Sequence, residues 1–205
     1  MINPLLIWAG IMLTELLKNE KFFLALYLID KQIAEQYRGK KCPHCGAALH
    51  YANYGRKPRG ERVNLPEEYL LRFCLCCAAK GCRKRFTPPS CRFLGRKVYW
   101  HCFIIIILTQ YQTNPQKNSA YNLSKEFGIY ITTITRWLKF YRIIFPASEQ
   151  WQNIRGQISS CVKDNELPCS LVNYFLKNKK TVEKAMISYL YFLAKGTLIK
   201  QFKGT

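Results

Sequence analysis

The crowding of cysteines into one segment constrains the fold of this 205-residue chain more than any other feature. Six of the ten cysteines lie between positions 42 and 82. The surrounding residues 39–96 are rich in Gly, Pro, Cys and Arg, a composition typical of loops and short strands. Such a segment cannot fold on apolar burial alone, and metal coordination by thiolates is the source of stability that its cysteines offer.

Two short cysteine clusters predict a structural Zn²⁺ site. The first is Cys42-Pro-His-Cys45-Gly46, whose two-residue gap brings two thiolates to one side of a tight turn, where the glycine tolerates a left-handed backbone. The second is Cys74-Leu-Cys76-Cys77-Ala-Ala-Lys-Gly81-Cys82. Tetrahedral zinc takes four such ligands, and the predicted set is Cys42, Cys45, Cys77 and Cys82.

Several alternatives to this ligand set stay open at the level of sequence. Cys76 can replace Cys77, and Cys74 forms a competing Cys-x-x-Cys pair with Cys77. His44 and His50 are reserve ligands. A group of buried free thiols is the alternative without a metal.

Positive charge is concentrated in the same part of the chain. Lys and Arg number 32 against 12 Asp and Glu, and residues 38–100 hold 15 of these cations against three glutamates. This imbalance predicts a polyanionic partner, nucleic acid or an anionic membrane surface, rather than an ordinary surface of mixed charge. Basic residues interleaved with aromatic rings favour nucleic acid, and double-stranded DNA is the expected partner. The cations predicted to contact DNA are Arg56, Lys57, Arg59, Arg83, Lys84, Arg85, Arg92, Arg96 and Lys97.

Residues 98–147 predict a helix-turn-helix DNA-binding domain. An apolar helix over 98–112 is followed by Ser119, which can cap a helix that runs to Phe127, and Gly128 stands where the turn needs a positive φ. The next helix, over about 132–141, is predicted to present residues to base edges and phosphates. They are Thr132, Thr133, Thr135, Arg136 and Lys139. A purely structural helical hairpin is the alternative.

The expected fold is mainly α with a small β zinc ribbon. Four parts are predicted: a helical hairpin over 1–37, a zinc-ribbon-like basic module over 38–97, the helix-turn-helix domain over 98–147, and C-terminal helices over 148–205. Apolar spacing predicts the N-terminal helices over 5–17 and 22–33 and the last two over 167–176 and 182–193. The apolar run before Glu15 is shorter than the roughly 20 residues of a membrane span, so a buried helix is expected there.

Particular stretches of the chain resemble known proteins. The order of zinc ribbon and helix-turn-helix resembles the N-terminal DNA-binding part of bacterial insertion-sequence transposases. Residues 38–46, 56–60 and 81–99 more closely resemble a group of uncharacterised bacterial proteins that are called transposase-like, above all in Pro88-Pro-Ser90 and Arg92-Phe-Leu-Gly-Arg96. The resemblance covers about residues 38–145 and implies DNA recognition in a mobile-element setting, without a known activity. Where those proteins have serine, this chain has Cys74.

The scarcity of aspartate argues against catalysis. True transposases use an Asp-Asp-Glu triad to hold two metal ions, whereas this chain has only Asp30 and Asp164, on either side of the predicted DNA-binding region. The 60 residues after position 145 are too few for such a domain.

We therefore expect a non-enzymatic DNA-binding protein that is stabilised by zinc and associated with mobile elements. Without a predicted anchor or signal peptide, it is expected in the reducing bacterial cytoplasm, on the nucleoid and away from membranes. A degenerate or partner-dependent transposase or recombinase is one alternative, and a zinc-ribbon RNA-binding protein is another. A homodimer and a transposase or integrase as partner are left open.

Overall fold

The structure is a computed structural model that describes residues 12–196, and most of these residues are helical. The helices are α1 (Glu20–Arg38), α2 (His101–Thr113), α3 (Ala120–Phe127), α4 (Ile131–Lys139), α5 (Glu149–Arg155), α6 (Cys169–Asn178) and α7 (Val182–Gly196). Short 3₁₀ turns occur at Leu16–Lys18, Glu67–Leu70 and Asp164–Glu166, and a π-helix at Phe140–Ile144 follows α4. The predicted class, mainly α with a small β-sheet, is confirmed.

Two small antiparallel sheets lie in the cysteine-rich segment. The strands β1 (Leu49–Tyr51), β4 (Leu75–Cys77) and β5 (Arg85–Phe86) form a three-stranded sheet in the order β1-β4-β5, while β2 (Tyr54–Gly55) pairs with β3 (Leu71–Arg72). Leu49 lies opposite Cys77, and Leu75 lies opposite Phe86. These four residues and Cys42 form a small core of their own, which is too limited to stabilise the segment alone.

Helix α2 lies at the centre of the main core. Every residue from His101 to Gln110 is buried, as expected for a helix that is apolar on all sides. Helices α3, α4, α6 and α7 all pack against α2. The same core includes Leu17 near the N-terminus, Phe93 in the cysteine-rich part and Leu193 in α7. Residues from all four predicted parts therefore contribute to it.

The helices that the sequence predicts are largely observed. The N-terminal helix predicted over 22–33 corresponds to α1, which begins after Asn19, whose side chain accepts a hydrogen bond from the backbone of Phe22. The other predicted N-terminal helix spans 5–17. Its residues 12–15 are helical, and its residues 5–11 lie outside the described part of the chain. The two predicted C-terminal helices are α6 and α7.

No helix within residues 12–196 combines the length and the apolar character that a membrane span requires.

A fully buried ion pair joins α1 to the segment that precedes α2. The Nε of Arg92 donates to the Asp30 carboxylate at 2.8 Å, and both side chains are 0% exposed. Arg92 also donates to the backbone carbonyls of Tyr69 and Leu71. The prediction that Arg92 contacts DNA is therefore wrong, since its guanidinium is enclosed by the fold and bound to a carboxylate.

Candidate metal centre and basic surfaces

Four cysteine sulfurs from the two predicted clusters converge on one point. The Sγ atoms of Cys42, Cys45, Cys77 and Cys82 all lie within 4.8 Å of one another. The Sγ of Cys42 is 3.8 Å from that of Cys82, and the Sγ of Cys45 is 3.3 Å from that of Cys77. Four sulfurs at about 2.3 Å from one tetrahedral ion are separated by about 3.8 Å, so this group can hold a metal ion.

Backbone turns place the ligands of the first cluster. The amide of Gly46 donates to the carbonyl of Cys42 at 2.8 Å, and the amide of Cys42 donates to the carbonyl of Ala47 at 2.8 Å. Gly46 has a φ of +71°, as the Cys-x-x-Cys-Gly pattern predicts. This turn carries the thiols of Cys42 and Cys45 to the same side.

Strand geometry decides which cysteine of the second cluster joins the group. Side chains alternate between the two faces of a strand, so Cys77 in β4 faces the opposite side from Cys76. The Sγ of Cys76 lies against the carbonyls of Cys77 and Arg83, and that of Cys74 against the carbonyl of Leu75. The alternatives that use Cys76 or Cys74 as ligands are not supported by this arrangement, and neither His44 nor His50 belongs to the group.

The local environment favours a thiolate at one of the four positions. Burial raises the pKa of Cys42, but this effect is outweighed by hydrogen bonds from the backbone amides of His44 and Cys45, and the pKa falls to about 7. Burial raises the pKa of Cys77 to about 12. Metal ligation requires deprotonated thiols. Before an ion binds, Cys42 therefore loses its proton more readily than Cys77 does.

A short turn joins the two helices α3 and α4, as the sequence predicts. The side chain of Ser119 accepts a hydrogen bond from the amide of Asn122 at the start of α3, and Gly128 has a φ of +63° after its end. Leu123, Ile134 and Trp137 are buried, which fixes these helices on the core. Helix α4 ends at Lys139, slightly earlier than predicted, and continues into the π-helix.

The predicted recognition residues lie mostly on the outer face of α4. Thr132, Thr135, Arg136 and Lys139 are exposed, and Thr133 is half-buried. Tyr130, which the sequence reasoning did not single out, precedes α4 and is 82% exposed. Its position between Ile129 and Ile131, in an apolar run beside the predicted turn, gives no local sign of this exposure.

The predicted DNA-contacting cations of the cysteine-rich segment do not share one environment. Lys57, Arg59, Arg83, Lys84, Arg85, Arg96 and Lys97 are exposed. Arg56 is half-buried, and its two Nη groups donate to the backbone carbonyls of Gly95 and Lys97. Arg56 therefore has a structural role in holding the loop that carries Arg96 and Lys97.

Direct contacts connect part of this basic segment to α4. The amide of Arg59 donates to the carbonyl of Val98 at 2.9 Å. The rings of Tyr99 and Trp137 pack edge to face at 4.9 Å between centroids, and the Lys97 ammonium lies 5.8 Å from the Phe140 ring. Residues 97–99 thus contact α4 and the π-helix that follows it, and Arg59 is joined to this stretch through its backbone.

No protein-family model, curated protein or solved structure matches this chain.

Proposed function

We propose that this chain is a zinc-stabilised protein that binds double-stranded DNA and has no catalytic activity of its own. The observation that carries the proposal is a four-thiol group in a strongly basic segment whose residues 97–99 contact α4 and the π-helix that follows it. The resemblance to transposase-like proteins supports a role at mobile elements.

Zinc is the ion that best fits the four thiols. Thiolates are soft ligands, and sets of four cysteines are typical of structural zinc sites. Because the protein supplies all four ligands, no position is left for a water or a substrate, so the ion has a structural role. Binding of structural zinc contributes about 10–16 kcal/mol to folding in small modules, which more than compensates for the small apolar core around Leu49, Leu75 and Phe86.

Helix α4 has the properties of a helix that reads the major groove. A major groove about 12 Å wide admits one α-helix, and α4 is fixed on the core by Ile134 and Trp137 while its opposite face is exposed. Arg136 forms no ion pair with any described residue. An arginine in this position can donate two hydrogen bonds to the O6 and N7 atoms of guanine.

The exposed cations outside α4 are suited to phosphate contacts. Arg83, Lys84 and Arg85 follow the ligand Cys82 and lead into β5, so the metal centre would fix the backbone that presents them. Such contacts add affinity for any DNA sequence and carry no direct information about bases.

Site selection from a random duplex pool, followed by titration of variants, tests this division of roles. Arg136→Ala should weaken binding to the selected sequence by about 1–3 kcal/mol and relax base choice at one position. Arg85→Ala should weaken binding to all sequences alike and reduce the salt slope by about one unit. Lys177→Ala, an exposed cation of α6, is the charge-matched control and should leave both properties unchanged.

Two results would contradict the proposal. If Arg136→Ala leaves the selected sequence unchanged while Arg85→Ala alters it, the metal-binding segment reads the bases. If structured RNA competes better than duplex DNA, the RNA-binding alternative replaces the present one.

A further inference from the structure

A cavity of about 400 Å³ lies outside the exposed face of α4 and the metal centre. Its walls come from Arg72, from residues 87–90 and 93–97, from His101 and Phe140, and from Gln150, Leu193 and Ala194. Small-molecule sites commonly enclose about 300–1,000 Å³, so a ligand of moderate size fits here.

The charged groups that line this cavity are all positive. Arg72, Arg96 and Lys97 are among its lining residues, and no carboxylate of the described chain is among them. Arg72 is buried, and its guanidinium donates to the backbone carbonyls of Pro88 at 2.5 Å and Phe73 at 3.5 Å but forms no ion pair with a described residue. A buried cation without a carboxylate partner is costly, and an anionic ligand would compensate for it.

One wall offers a buried hydrogen-bonding atom that has no partner. The ring of His101 is 2% exposed, and its Nε2 lies 2.7 Å from the hydroxyl of Tyr141. Its Nδ1 is buried without a hydrogen-bond partner among the described residues. Burial lowers the pKa of His101 to about 3, so the ring is neutral at pH 7 and adds no charge to the cavity.

The remaining walls are largely apolar. Pro88, Pro89, Phe93, Leu94, Phe140 and Leu193 line the cavity. The ammonium of Lys97 lies over the ring of Phe140 at 5.8 Å, so a cation and an aromatic ring are adjacent at one wall. The cavity therefore favours a ligand that joins an anionic group to a flat, weakly polar body.

We propose that this cavity binds one nucleotide unit, with its phosphate on Arg96, Lys97 and Arg72 and its base in the apolar part near His101. A phosphate matches three cations better than a monovalent carboxylate does, and a base supplies both the flat body and the hydrogen-bonding edge. The site does not include Arg136 of α4, but it shares Arg96 and Lys97 with the exposed cations to which we assign phosphate contacts in duplex binding. The nucleotide can be a free nucleoside monophosphate or an unpaired nucleotide of a DNA strand, since the chemistry is the same.

Calorimetric titration of the full chain tests the site with dAMP, inorganic phosphate and deoxyadenosine. We expect dAMP to bind at least tenfold more tightly than either of its parts. The double variant Arg96→Ala/Lys97→Ala, which changes exposed residues only, should weaken dAMP binding at least tenfold. The double variant Lys57→Ala/Arg59→Ala, which also removes two exposed cations but lies outside the cavity, is the charge-matched control and should bind dAMP like the wild type.

A second arm distinguishes the two sources of the nucleotide. A duplex with one unpaired 3′ 2-aminopurine should change fluorescence on binding, and the double variant should lose this change. A blunt duplex of the same sequence tests the proposed DNA-binding function separately. Equal affinity for inorganic phosphate and dAMP would overturn the nucleotide assignment, as would the absence of a response to both dAMP and the unpaired nucleotide.

Discussion

Asp30→Asn should destabilise the protein by about 3–5 kcal/mol, the cost of removing one partner of a buried ion pair. The carboxylate of Asp30 accepts hydrogen bonds from the Ser90 hydroxyl at 2.5 Å, from the Cys91 amide at 2.6 Å and from Arg92 Nε at 2.8 Å. Asparagine keeps the size but has only one carbonyl oxygen, and it leaves the Arg92 guanidinium uncompensated at 0% exposure.

Urea unfolding, followed by tryptophan fluorescence, measures this loss, and two comparisons show its origin. Asp30→Asn combined with Arg92→Met removes both charges of the buried pair, so the double variant should lose about 2–3 kcal/mol less than the sum of the single losses. Glu15→Gln removes the exposed pair with Lys18, whose side chains are 55% and 50% exposed, and should cost less than about 1 kcal/mol. If Asp30→Asn costs no more than Glu15→Gln, the reasoning about the buried pair is wrong.

Two further predictions concern the metal centre and His101. Metal analysis should show that Cys45→Ser and Cys82→Ser each lose the single bound zinc. Cys161 is an exposed thiol outside the group, so Cys161→Ser should keep the zinc. Full zinc occupancy in the first two variants would exclude this ligand set. Burial lowers the pKa of His101 from 6.5 to about 3, so the folded state binds fewer protons than the unfolded state between these values. Stability should therefore fall as the pH drops below 6.5, by up to about 1.4 kcal/mol per pH unit from this group. His101→Gln should reduce that slope between pH 6.5 and 5, and an unchanged slope would contradict the assignment.

Local signals explain why much of the fold could be predicted from the sequence. The capping of α3 by Ser119, the left-handed turn at Gly128 and the turn at Gly46 each depend on residues a few positions apart. The four ligands could be proposed, but the choice between Cys76 and Cys77 depends on the register of β4. That register is set by its pairing with β1, which is a long-range contact.

Long-range contacts also account for what the sequence did not predict. Arg92 is one of many cations in its segment, and nothing local distinguishes it as the partner of Asp30, which is far away in the chain. The proposed nucleotide cavity has walls from Arg72, His101, Phe140 and Leu193, residues that only the folded chain brings together.

The salt dependence of duplex DNA binding tests the central claim most directly. Each phosphate that the protein neutralises should add about −0.9 to the slope of log K against log salt, where K is the association constant. With the exposed cations of the cysteine-rich segment and α4 we expect roughly 5–8 such contacts. The slope in fluorescence anisotropy titrations of the zinc-loaded full chain should then be about −4.5 to −7. A flat salt response, or no binding to duplex DNA at low salt, would contradict the account.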